Sequence, residues 1–319
     1  MTETLGFSST AQDVVALFPN AAAGKTIAIT GPSPTGIGGE TAVGFALAGA
    51  RTIVLLGRSA SSLQPVVERI KAANTETVVK IVEMDLSSLS SVRKAAEGLE
   101  VEEVDVLVNN AGIMCAPFAL TPEGVESHFA INFLSHFILT NLLRPKTVVH
   151  VAVDMTAALV RLGDEARRAF GDDGSFASGA QYDPLLAYAN GKLSLAYFGF
   201  ELARRGKGVK SIVVHPGLII SGLMKHITPA IQASSFAKLS SVLSESADFK
   251  PENPKTFAQG AASTLRAALD GTVESGSFVK DCQVVEPNLM EGKEERERKG
   301  KEVWMLGEKF VGEKFEGTW

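Results

Sequence analysis

Tyr188 and Lys192 are the residues of this chain whose types and spacing speak most directly of chemistry. Four positions apart on a helix, their side chains fall on one face and address the same neighbour. A phenol gives or takes a proton and an ammonium supplies a positive charge, so the pair suits proton transfer. Two such residues on an amphipathic helix also fit an ordinary boundary between surface and core. The choice depends on what the rest of the chain places beside them.

A second chemical feature lies near the N-terminus. The turn Thr30-Gly31-Pro32-Ser33-Pro34-Thr35-Gly36-Ile37-Gly38 follows the β-branched run KTIAIT and opens a helix. There the backbone N–H groups and the helix dipole point at one spot, which is where a dinucleotide pyrophosphate sits. The alternative is a strand-to-helix turn that needs glycine only for its backbone angles. The next strand ends in Leu55-Leu56-Gly57-Arg58-Ser59, at the position where an acid would accept the 2′-hydroxyl of NAD. Arg58 instead suits a 2′-phosphate, with Ser33 or Ser59 assisting, so NADP(H) is favoured over NAD(H). A solvated surface arginine is the competing explanation.

These residues need a scaffold, and the pattern supplies one. From Lys25 onward, short apolar runs alternate with longer amphipathic stretches: KTIAIT, a helix over about 38–47, RTIVLL, a helix over about 63–73, VVKIVEMD, the helix LSSLSSVRKAAEGL and VDVLVNNAG. A helix over about 123–143, the strand TVVHVAV, a helix over 188–204 and the strand VKSIVVHPG continue the series, and GSFVK fits a seventh, edge strand. Strand and helix in alternation predict an α/β fold, a Rossmann-type doubly wound parallel sheet flanked by helices in a single domain. Residues 1–24 read as an appendage with a helix capped by Thr10 or Ser9, 25–290 as the dinucleotide-binding and catalytic domain, and 291–319 as an amphipathic helix that buries Trp304 against it.

Composition narrows the class. The chain has 319 residues, 45% hydrophobic and 21% charged, and a net charge of -5 that leaves no basic field for nucleic acid. Cys115 and Cys282 lack disulfide or zinc spacing and read as small buried hydrophobes, so no metal is expected. No apolar run reaches membrane-spanning length and no leader pattern opens the chain, which predicts a cytoplasmic protein with peripheral membrane contact left open. His128, His136, His150 and His226 read as structural or surface residues.

Taken in order, Thr30-Gly31…Gly36-Ile37-Gly38, Asp85-Leu86, Asn109-Asn110-Ala111-Gly112, Asn132, Tyr188-Ala189-Asn190-Gly191-Lys192 and His215-Pro216-Gly217 resemble the short-chain dehydrogenase/reductase family over 25–223. FAINFLSHFILTNLL, YANGKLSLAYF and the helix bearing Trp304 look most like its retinol-dehydrogenase and WW-domain-oxidoreductase branch. The resemblance implies Tyr188 as acid/base, Lys192 holding the nicotinamide ribose and lowering the tyrosine pKa, and Asn132 propping a relay water. It implies Asp85 and Leu86 beside the adenine, and Pro216, Gly217 and Ser221 near the carboxamide and pyrophosphate. Asn109, Asn110, Ala111 and Gly112 would close the fourth strand against the cofactor, in a role as much structural as contacting. Family members are dimers or tetramers in many cases and monomers in others, so a homo-oligomer is open.

Three positions depart from the family pattern. The serine expected at the end of the fifth strand is missing, because His150-Val151-Ala152-Val153-Asp154 places Ala152 and Val153 there and neither donates a hydrogen bond. Thr156 or Tyr182 could replace it, the chemistry could be an isomerisation, dehydration or cyclisation, or the protein could bind cofactor without turnover. The phosphate loop is longer than usual between Gly31 and Gly36 and carries two prolines, which stiffen it and remove N–H donors. Gly191 replaces the serine that often precedes the lysine, a change the helix alone should tolerate at about 1 kcal/mol. Downstream, 222–243 is mostly apolar with few charges, which predicts a lipophilic substrate, a ketone or an alcohol.

Overall fold

A computed structural model describes residues 5–154, 157–237, 240, 253–287 and 292–315. Its centre is an eight-stranded sheet in the order β3-β2-β1-β4-β5-β6-β7-β8. The strands are β1 (Thr26–Thr30), β2 (Thr52–Gly57), β3 (Val78–Glu83), β4 (Val106–Asn109), β5 (Thr147–Val151), β6 (Lys210–His215), β7 (Phe278–Lys280) and β8 (Gln283–Val285). All neighbours are parallel except β7 and β8. The strand order reverses direction between β1 and β4, and in open α/β sheets the crevice outside the carboxyl ends at such a point binds ligand.

Both faces of the sheet are covered, which is why its strands read as unbroken apolar runs. Along β1, Ile27 and Ile29 point into one core and Ala28 into the other. Leu107 of β4 and Val148 of β5 share the side of Ala28, whereas Val106, Val108 and Val149 share that of Ile27. The Ile27 side is packed by α1 (Ala11–Leu17), α2 (Ile37–Leu47), α3 (Ala60–Ala73) and α8 (Phe257–Leu269). The other side holds α4 (Leu89–Glu97), the composite helix α5 (127–143), α7 (Pro184–Arg205) and α9 (Lys293–Val311). A further helix, α6 (Ala157–Phe170), packs along α7.

The elements follow the expected pattern, with one alternative resolved and three differences. Of the two candidate caps for α1 the structure uses Thr10, in a capping box with Asp13. The helix expected from about 123 begins only at Ser127, because Gly124 at φ +78° turns the chain and Glu126 caps the new start through its carboxylate. GSFVK is the seventh strand but not the edge, since β8 folds back antiparallel outside β7. The amphipathic helix α6 occupies a stretch between β5 and α7 for which the sequence reading placed no element.

Trp304 is 1% exposed, as the tail helix required. Its ring meets Phe137 and Phe198 at 5.3 and 5.8 Å, and Arg205 stacks on it at 4.4 Å. The approach is close because Gly307 has no side chain, and a Cβ there would sit 2.9 Å from the Phe137 ring. Among the described residues no helix is long and apolar enough to cross a membrane.

Candidate active site

A cleft of about 700 Å³ lies over the carboxyl ends of β1 and β4 and runs from the glycine-rich turn to Tyr188 and Lys192. Its floor is set by Thr30. The Thr30 hydroxyl accepts from the Asn110 and Ala111 N–H groups, each at 3.0 Å, and so fixes the end of β4 against the end of β1. Asn110 returns its amide to the carbonyls of Thr30 and Gly31 at 2.8 and 3.1 Å. Asn109 is fully buried and donates to Thr140 and His150, away from the cleft.

The absence of side chains shapes the phosphate loop. Gly31 has φ +60°, and a Cβ on it would lie 2.8 Å from the Ala111 Cβ. A Cβ on Gly38 would lie 2.5 Å from the Asn110 amide nitrogen. Gly36 caps α2 without a side-chain hydrogen bond, so the first N–H groups of that helix are left for another acceptor. Ser33, Ile37 and Gly38 border the same space, and the two prolines do not displace the turn from it. The cradle therefore fits a pyrophosphate, held by backbone donors and the α2 dipole.

Arg58 stands exposed at the cleft border after β2 and makes no ion pair among the described residues. Asp85 and Leu86 form the adjoining wall, but Asp85 spends one carboxylate oxygen on the Ser87 N–H and hydroxyl at 2.9 and 2.8 Å. Ala111 and Gly112 line the middle of the cleft. Pro216, Gly217 and Ser221 line its far end, where Ser221 also caps the single turn Gly222–His226 by accepting from the Leu223 N–H.

Tyr188 and Lys192 both face the cleft from α7. Asp183 starts that helix by accepting from the N–H groups of Leu185 and Leu186, with Pro184 in its first turn. Lys192 is 3% exposed and donates from Nζ to the Val151 carbonyl at 2.7 Å. Burial lowers its pKa from 10.5 to about 8. The Tyr188 phenol moves the other way: burial, with a smaller push from Cys115, raises it above the usual tyrosine range. The resemblance implied a lowering by Lys192, and burial instead moves the phenol upward.

Asn132 is fully buried and does not line the cleft. Its amide is paired in both directions with Ile113, accepting from the N–H at 2.8 Å and donating to the carbonyl at 3.0 Å. This clamp sits in α5, which runs as Ser127–Phe129, a π-helical stretch Ala130–Leu134 and Ser135–Leu143. The Asn132 carbonyl accepts from His136 Nδ1 at 3.2 Å, which leaves His136 Nε2 to accept from the Thr30 hydroxyl at 3.0 Å. Burial, together with the Lys192 charge, holds His136 at a pKa of about 3, so this link between the loop floor and the π stretch is neutral. The sequence reading gave Thr30 and His136 no active part; a hydroxyl at the end of the strand before the first glycine was the available signal.

The position of the missing serine is apolar in three dimensions as well. Val151, Ala152 and Val153 line the cleft where β5 ends, and Val153 is 8% exposed. Of the two candidate substitutes, Thr156 lies outside the described residues. Tyr182 gives its hydroxyl proton to the Ala116 carbonyl at 2.5 Å beside the buried Glu126–His128 pair and does not line the cleft. Gly191 is needed where it stands, because a Cβ there would come within 2.7 Å of the His128 carbonyl oxygen.

With that geometry in place, the relatives can be compared. The family model described as short chain dehydrogenase matches residues 25–152. Human retinol dehydrogenase 12 is 36% identical over 275 residues, covering 82% of this chain and 78% of its own. The chain belongs to the short-chain dehydrogenase/reductase family. Human retinol dehydrogenase 13 is 36% identical over 218 residues, covering 67% of this chain and 64% of its own. The short-chain dehydrogenase/reductase prx1 of Penicillium roqueforti is 31% identical, covering 82% of this chain and 75% of its own. Among solved structures, an uncharacterised protein from Mycobacterium paratuberculosis superposes with a TM-score of 0.65 at 29% identity, covering 97% of this chain and 99% of that one. The NADP-bound 3-oxoacyl (acyl-carrier-protein) reductase of Agrobacterium tumefaciens shares the fold, with a TM-score of 0.54 at 22% identity over 82% of this chain and 90% of its own. This short-chain dehydrogenase/reductase is similar to the retinol dehydrogenases of its family.

Proposed function

We propose that this protein is an NADP(H)-dependent oxidoreductase that interconverts a lipophilic ketone and its alcohol. The observation that carries the reading is one continuous cleft with a glycine-rich phosphate cradle at one end and Tyr188 with Lys192 at the other. The bound nicotinamide would supply or accept the hydride. Tyr188 would exchange the proton at the substrate oxygen, while Lys192, held by the Val151 carbonyl, would present its charge to ribose and phenol. Asn132 would act at one remove, by fixing Ile113 and the cleft wall beside Lys192.

Arg58 supports the 2′-phosphate, because it is exposed, unpaired among the described residues and at the cleft border. The substrate end supports a lipophilic ligand: Met114, Val153, Leu218, Leu223 and Met224 border it, and Leu218 remains 38% exposed. Two buried, unpaired thiols agree with a cytoplasmic setting. The apolar end of β5 favours a second reading, a non-redox or impaired enzyme on the same fold, because none of the described cleft-lining side chains there donates a hydrogen bond to a developing oxyanion.

NADPH consumption with a panel of lipophilic ketones separates the two. Steady loss of NADPH, abolished in Tyr188→Phe, supports the oxidoreductase, and product formed without cofactor loss supports the second reading. Titration of NADPH against NADH is expected to favour NADPH, with the preference lost in Arg58→Ala. Equal affinities in the unaltered protein would remove the role given to Arg58.

A further inference from the structure

A second cavity lies on the other side of α7, between α6, α7 and α9, and its volume of about 700 Å³ matches that of the cleft. The same helix serves both spaces: Tyr188 and Lys192 face the cleft, and Asn190 and Leu193 face this cavity. Asn190 is 1% exposed, yet among the described residues neither its amide oxygen nor its amide nitrogen has a partner. Arg167 of α6 donates from Nη2 to the Ser194 hydroxyl at 2.6 Å, whereas its Nη1 is buried without a partner among them. Ser194 donates in turn to the Asn190 carbonyl at 2.6 Å, so the guanidinium and the amide lie within one turn of α7.

Buried polar atoms are almost always satisfied, because leaving one dry forfeits its hydration with nothing in return. Here three unsatisfied atoms belong to two residues that line one cavity, and the Arg167 guanidinium is held in place by stacking 5.3 Å from the Phe129 ring centre. An acceptor with two oxygens would answer both Arg167 Nη1 and Asn190 Nδ2. Asp164 and Glu302 also line the cavity and act on the Arg167 charge, but Lys299 and Arg298 already pair with them, so Arg167 keeps a positive charge to offer an anion. Leu193, Val303 and Leu306 supply the apolar wall beyond it.

We propose that this cavity binds a small monocarboxylic acid with an apolar body, its carboxylate accepting from Arg167 and Asn190. The site is separate from the cofactor cleft and goes beyond the redox activity above. Its occupant would press on α7 between the positions that carry Tyr188 and Lys192.

The test is a thermal-shift and calorimetric titration of the full chain with hexanoate, with hexan-1-ol and inorganic phosphate alongside. Hexanoate is expected to bind saturably and raise Tm, with hexanol and phosphate at least about tenfold weaker. Asn190→Leu removes the unpartnered amide, so it should keep or raise the Tm of the free protein while weakening hexanoate at least about tenfold. Arg167→Met should weaken it in the same way. The proposal falls if hexanoate gives no saturable binding, if phosphate binds as well, or if the folded Asn190→Leu protein binds hexanoate as tightly as the parent.

Discussion

Gly191 and Val153 show how much of this site is decided residue by residue. Helix propensity alone favours serine over glycine in the middle of α7. The His128 carbonyl oxygen, 2.7 Å from a Cβ at that position, reverses the sign. Gly191→Ser should destabilise the protein by about 1–3 kcal/mol in urea unfolding, and any gain in stability would contradict the packing described. Val153 lines the cleft beside Ala152 at the end of β5. If the reaction is carbonyl reduction, Val153→Ser restores a donor and should raise kcat on lipophilic ketones by about 10- to 100-fold. No change would favour chemistry without an oxyanion at that place.

At the scale of elements, α9 converts a charged tail into part of the core. Trp304 lies in the seam with α5 and α7, and its indole N–H donates to Glu308 at 2.9 Å. Trp304→Ala is expected to cost about 3–5 kcal/mol, read as a lower midpoint in denaturant with a similar slope. The same seam carries α7, so cofactor affinity should weaken along with stability. The π stretch of α5 belongs to this scale too. The Asn132 clamp on Ile113 and the contact of His136 with the Asn132 carbonyl tie it to the floor of the cleft through Thr30.

For the whole molecule, the buried histidines set its response to acid. Burial holds both His136 and His150 at pKa values of about 3, far below their value in an unfolded chain. Between that value and about pH 6.5 the unfolded chain binds protons that the folded one refuses, so stability falls as pH falls. Two such groups contribute a slope of about 2.7 kcal/mol per pH unit within that window. His150 accepts from Asn109 and donates to the Ser211 hydroxyl, a pattern that glutamine can imitate. His150→Gln should therefore roughly halve this slope in unfolding measured from pH 7 to pH 4. An unchanged slope would show that other groups govern the acid response.

The sequence by itself determined the sheet, the glycine cradle and the Tyr188/Lys192 face, because each depends on local spacing or on a short run of side chains. Strands buried on both faces must be apolar throughout, and a loop whose backbone approaches phosphate needs glycine wherever a Cβ would collide. It also determined that Val153 stands where a donor was expected. Only the tertiary structure decided that Lys192 is oriented by the Val151 carbonyl and that Tyr188 is pushed up by burial. It also placed Asn132 behind the cleft wall and gave α7 a polar cavity on its other side. Those outcomes turn on desolvation and on which groups from distant segments meet, and neither is encoded in the spacing of residues along one element. The placing of Tyr188 and Lys192 on one helix face is therefore a sequence-level fact, and their electrostatic state is a property of the fold.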